Sequence, residues 1–103
     1  MNLAKREIKE LFETILALQS LMEANAFFRD LLTESEILEF SMRFKAANML
    51  AQNISYVQIQ KQTGLSSTTI ARISKWLTNG KDGYKQMIAR NSHMHPSRKK
   101  VLI

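Results

Sequence analysis

The segment Ser55-Tyr56-Val57-Gln58-Ile59-Gln60-Lys61-Gln62-Thr63-Gly64-Leu65-Ser66-Ser67-Thr68-Thr69-Ile70-Ala71-Arg72-Ile73-Ser74-Lys75-Trp76-Leu77 holds two short helical patterns around one glycine. Ser55-x-x-Gln58 is a capping box, in which the hydroxyl takes a free amide and the Gln side chain reaches back. It predicts a helix over Tyr56–Gln62. Gly64 suits the left-handed backbone that a sharp turn between helices requires. Ser66 or Ser67 then caps a second helix, from Ser67 to about Leu77. A short helix, a turn with glycine and a longer helix make the spacing of a helix-turn-helix. Ile59, Leu65, Ile70 and Ile73 fall where the two helices pack on each other and on a core.

The outward positions of the second helix are Ser67, Thr68, Ala71, Arg72 and Lys75. Short hydroxyl and methyl side chains at the start of a helix allow close approach to base edges in a major groove. The free amides at that end favour a phosphate. Arg72 and Lys75 follow as cations for the sugar-phosphate backbone, and Lys61 offers another from the preceding helix. With the cap and turn residues, the candidate DNA-contacting set is Gln60, Lys61, Ser66, Ser67, Thr68, Thr69, Ala71, Arg72 and Lys75. Two positions depart from the usual motif. Gln60 stands where a small residue is common, and Thr63 where an aliphatic is usual.

Working outward, nothing before Gly64 breaks a helix, because the glycines fall at 64, 80 and 83 and the single proline is Pro96. No alternating strand pattern appears, so the chain reads as all-α. Ile8, Leu11, Phe12, Ile15, Leu16, Leu18 and Met22 form an apolar stripe that predicts a helix from Ala4 to Glu23. Its breadth serves both a core and an intersubunit face. A short second helix is expected around Phe27, Phe28, Leu31 and Leu32. Thr33-Glu34-Ser35-Glu36 is another capping box, opening a helix to about Gln52 that buries Ile37, Phe40, Phe44, Ala47 and Leu50. Glu34, Glu36 and Glu39 lie near the positive end of its dipole, which accounts for them as a solvated helix start rather than an acid–base pair. After Asn79-Gly80, Asp82 is expected to cap a last helix, Gly83 to about Arg90, with Tyr84, Met87 and Ile88 inward. The organisation is thus one all-helical domain over 1–90: N-terminal dimerisation helices within 1–52, the helix-turn-helix at 55–77 and the last helix at 83–90. Residues 91–103, with Pro96 and Arg98-Lys99-Lys100, are expected to be a disordered basic tail that adds non-specific phosphate contacts.

Charge sharpens this division. The 103 residues carry 15 Lys+Arg and 9 Asp+Glu, a net charge of +6. Residues 1–51 hold six cations against eight acids, a balance of −2, whereas residues 52–103 hold nine against Asp82 alone, a balance of +8. A basic half that also carries a helix-turn-helix spacing points to a polyanion. The absence of cysteine excludes disulfides, thiolate metal sites and a cysteine nucleophile. Both histidines, His93 and His95, fall near the end of the chain and do not make a metal site. No Gly-rich phosphate loop or Ser/His/Asp set is present, so no enzyme and no cofactor are expected. No apolar run approaches the roughly 20 residues that span a bilayer. With no secretory signal at the start, a cytoplasmic protein without a membrane partner is expected.

Leu31-Leu32-Thr33-x-x-Glu36, Arg43, Ser55-x-x-Gln58-Ile59, Gly64 and Thr69-Ile70-Ala71-Arg72 resemble the Trp repressor superfamily. Ala71 to Tyr84, with Asn79-Gly80-Lys81-Asp82-Gly83-Tyr84, is similar to its YerC/YecD branch. The resemblance covers about residues 5 to 90. It implies an intertwined all-helical homodimer whose two reading heads enter successive major grooves, about 34 Å apart. It also implies a repressor of transcription. Thr33, Arg43 and Arg72 match positions around the family's tryptophan co-repressor. Two other pocket positions differ: a glycine is Ile73 here, and a serine is Trp76. Their bulk is expected to fill the cavity with the protein's own side chains, which argues against tryptophan as ligand and leaves the effector open. The residues alone keep a competing reading: a helical dimeric interaction module whose basic face meets an acidic protein. RNA binding fits less well, because capped helices around Gly64 favour groove reading over the aromatic platforms of RNA modules.

Overall fold

The computed structural model describes residues 5–94. Six helices follow one another: α1 (Lys5–Leu16), α2 (Leu21–Leu31), α3 (Glu34–Ala51), α4 (Tyr56–Thr63), α5 (Ser67–Asn79) and α6 (Gly83–Met94). No strand occurs among the described residues. The expected all-α architecture is therefore present. The chain falls into two compact units that divide between Ile37 and Leu38, inside α3.

In the first unit, the expected single helix over Ala4–Glu23 is two helices. α1 ends at Leu16, where the Ala17 amide is shared between the carbonyls of Glu13 and Thr14 and the Leu18 amide bonds that of Ile15 at 3.2 Å. α2 starts afresh because Ser20, in extended backbone, accepts from the Glu23 amide at 3.0 Å, while the Glu23 carboxylate accepts from the Gln19 amide at 3.0 Å. This is a variant capping box, and a local cap outweighs the apolar periodicity that continues to Met22. Thr33 and Glu36 make the expected reciprocal bonds at the start of α3, at 3.1 and 2.9 Å. Arg29 Nη2 meets Glu34 Oε1 at 2.7 Å. No residue of α1 or α2 is buried, and Leu16, Leu21 and Met22 are each more than 80% exposed.

The second unit owns the core. Ala46, Ala47 and Met49 of α3, Ile59 of α4, and Ile70 and Ile73 of α5 form one buried cluster. Leu50, Ile54, Leu65, Tyr84 and Ile88 pack against it. By its packing, the latter part of α3 therefore belongs with the helix-turn-helix. Of the residues expected to be buried along α3, Ala47 is, Ile37, Phe44 and Leu50 are half-buried, and Phe40 is exposed. The last helix runs to Met94 rather than ending at Arg90, so Asn91–Met94 are helical. No helix breaker stands in the sequence between Arg90 and Pro96. The remainder of the expected tail, with His95, Arg98, Lys99 and Lys100, lies outside the described residues.

Candidate nucleic-acid interface

α4 and α5 form as their sequence dictates. Ser55 caps α4, accepting from the Gln58 amide at 3.2 Å. Gly64 ends it in the left-handed region, φ 74° and ψ 3°, with its amide bonded to the Gln60 carbonyl at 2.9 Å. Thr63, unusual for the motif, has a local purpose here. Its hydroxyl donates to the Ile59 carbonyl at 2.7 Å and accepts from the Leu65 amide at 3.2 Å, which braces the turn on both sides of Gly64.

Ser66 is the cap of α5. Its hydroxyl accepts from the Thr69 amide at 3.1 Å and donates to the Thr69 hydroxyl at 3.0 Å. Ser66 and Thr69 are thus committed first to holding the helix start, and Thr69 is half-buried. Gln60 is half-buried as well. Lys61, Ser67, Thr68, Ala71, Arg72 and Lys75 are exposed. Along α5, Ile70 and Ile73 fix the inward direction, and Thr68, Ala71, Arg72 and Lys75 share the opposite face by their three- and four-residue spacing. Lys61, Arg72 and Lys75 have no carboxylate partner among the described residues, so their charge is free for an external anion. Asn79 joins this face at the end of α5. It follows Lys75 by four residues and lies in the two positions by which α5 outruns the expected end at Leu77.

Each expected ligand-pocket residue has its own local setting. Ile73 is buried in the core, as its bulk implied, but Trp76 is 51% exposed. Trp76 stands one position out of the inward series Ile70, Ile73, Leu77, so it cannot reach the interior. Instead it lines an open, mainly apolar groove of about 530 Å³ with Phe44, Gly80, Lys81, Gly83, Tyr84 and Met87. Phe44 and Tyr84 stack there at 6.5 Å, and Lys75 Nζ lies 5.9 Å from the Trp76 ring. Arg43 is turned to Glu39, at 2.6 Å, Arg72 points outward on α5, and Thr33 serves as the α3 cap. Gly80 is not left-handed (φ −84°); a Cβ there would collide with the Trp76 carbonyl. Asp82 enters α6 at φ 66° and joins it through its carbonyl, which accepts from the Gln86 amide at 2.9 Å, rather than as a carboxylate cap. Among the described residues, no group of His, Asp or Glu is placed to hold a metal, and no helix is long and apolar enough to cross a membrane.

Residues 6–92 match the family model described as Trp repressor protein. The chain belongs to the Trp repressor family. A YerC protein of Bacillus subtilis (strain 168) is 38% identical over 89 residues, which are 86% of each chain. The structure of a TrpR-like protein from Eubacterium eligens is 41% identical, with a TM-score of 0.82 over 87% of this chain and 94% of that one. A candidate Trp repressor from Staphylococcus aureus is 35% identical, with a TM-score of 0.79 over 87% and 93%. The family match spans both units described above.

Proposed function

We propose that this protein is a sequence-specific DNA-binding regulator of transcription, acting as a homodimeric repressor in the cytoplasm. The observation that carries this is the outward face of α5, where Thr68, Ala71, Arg72 and Lys75 stand exposed with both cations unpaired among the described residues. Thr68 and Ala71 are short enough for base edges to approach, and the cations flank them for phosphates. Family membership supports the same reading.

Dimerisation is supported by α1 and α2, which bury none of their own residues and leave Leu16, Leu21 and Met22 exposed. Apolar exposure on that scale favours a second copy over an acidic partner, which would call for cations instead. Tryptophan has no part in the proposal: Ile73 is bulky and buried in the core cluster, at a position where the resemblance implies a glycine. Selection of duplexes from a mixed genomic pool, at two salt concentrations, tests the function. Enrichment of one palindromic sequence with steep loss on adding salt is the expected result. Flat affinity with no enriched sequence would overturn it.

A further inference from the structure

α5 ends in Asn79-Gly80, the one place in the chain where asparagine precedes glycine. We propose that this dipeptide is a spontaneous modification site, at which deamidation puts a carboxylate on the reading face of α5. The chemistry stands by itself, while its consequence for DNA rests on the function proposed above.

Three observations bring the site together. Asn79 is exposed, and it is the last residue of its helix. Gly80 leaves its own nitrogen unshielded by a side chain. It cannot be replaced without cost, because a Cβ would collide with the Trp76 carbonyl. Packing therefore holds the labile dipeptide in place. The reaction is restrained by the helical backbone of Asn79 and by the hydrogen bond from the Gly80 amide to the Trp76 carbonyl at 2.9 Å. That bond closes the final turn of α5, the part of a helix that opens most easily.

When that bond opens, the Gly80 nitrogen loses its proton to base and attacks Cγ of Asn79. A new C–N bond forms, the bond from Cγ to the side-chain nitrogen breaks, and ammonia leaves with the proton. Water then opens the resulting five-membered imide at either carbonyl, giving aspartate or isoaspartate at position 79. One water is consumed, one ammonia is released and one negative charge appears. That charge lies four residues from Lys75 and seven from Arg72, on the same face. It competes with phosphate for Lys75, its neighbour one turn back. The isoaspartyl product also lengthens the backbone beside Gly80, which lines the Trp76 groove.

The test ages the full chain in warm, mildly alkaline buffer and follows it by peptide mapping and DNA affinity. The Asn79 peptide should acquire aspartyl and isoaspartyl forms well before those containing Asn25, Asn48 or Asn53, whose following residues carry side chains. Aged protein and fresh Asn79→Asp should both show a salt slope lower by about 0.9 per reading head, the loss of one phosphate contact. Asn79→Ser, which cannot form the imide, should keep its slope through ageing. Conversion at Asn79 no faster than at Asn25 or Asn53 would overturn the proposal, as would unchanged DNA binding in both the aged and Asn79→Asp proteins. Failure of the fresh chain to bind any duplex overturns the proposed function instead, and peptide mapping still decides the modification site.

Discussion

Replacing Arg72 by alanine separates phosphate anchoring from base reading. Arg72 is exposed on α5 and makes no ion pair among the described residues, so its removal should change folding stability by no more than about 0.5 kcal/mol. Each neutralised phosphate contributes about 0.9 to the slope of log affinity against log salt. A homodimer loses two such contacts, so the slope should become shallower by about 1.8. From 50 to 200 mM salt, that difference compounds to about 12-fold: the variant's penalty at the lower concentration exceeds its penalty at the higher by that factor. Fluorescence anisotropy with a selected operator and a scrambled duplex measures both slopes. The loss should be the same on both duplexes, since phosphates carry no sequence. Arg72→Ala with Lys75→Ala should roughly double the slope change. An unchanged slope, or a loss confined to the operator, would refute the assignment of Arg72 as a backbone anchor. A change of about 0.9 would show that only one head engages.

Thr68→Ala should leave the salt slope unchanged but reduce discrimination between operator and single-base variants by about 1–3 kcal/mol, measured by competition. Gly64→Ala forces a side chain into the left-handed turn at φ 74° and should destabilise the fold by about 1–2 kcal/mol, read from the urea midpoint. Leu16→Glu with Leu21→Glu should convert a dimer to monomer in sedimentation equilibrium; a dimer that survives both changes would exclude α1 and α2 from the interface. L-Tryptophan should produce no saturable rise in operator affinity, whereas a clear one would mean that Ile73 and Trp76 leave room for it.

The helix-turn-helix was readable because each of its signals is local. Ser55 and Ser66 cap within three residues, and Gly64 is needed for one backbone angle, so a single chain suffices to see them. The break before α2 was readable in principle, in Ser20 and Glu23, but the apolar series from Ile8 to Met22 masked it by running through the cap. The exposure of Trp76 was hidden for a different reason. Bulk at a position says nothing of its direction, which depends on the neighbours that fix the inward face of α5. Exposure of Phe40, Leu16 and Leu21 was not readable at all, because period alone marks an apolar face without saying what covers it. Gly80 shows the same limit: its requirement comes from the Trp76 carbonyl, four residues back, and not from its own backbone angle.

The division of labour between the two units follows from where the buried residues lie. α5 is held on one face by Ile70 and Ile73, in a cluster shared with α3 and α4, so its outward residues are set by packing within one chain. α1 and α2 have no such cluster, and fixing their backbone costs about 1–2 kcal/mol per residue. Burial returns roughly 1.5–3 kcal/mol for each large apolar side chain removed from water. Exposed residues such as Leu16, Leu21 and Met22 return little of this in a lone chain. Covering them is what the proposed dimer would gain. Substitutions on α1 and α2 should then act on DNA binding through dimer concentration, and vanish when protein is raised. Those at Thr68 or Arg72 should persist at any concentration, because they alter the contact and not its supply.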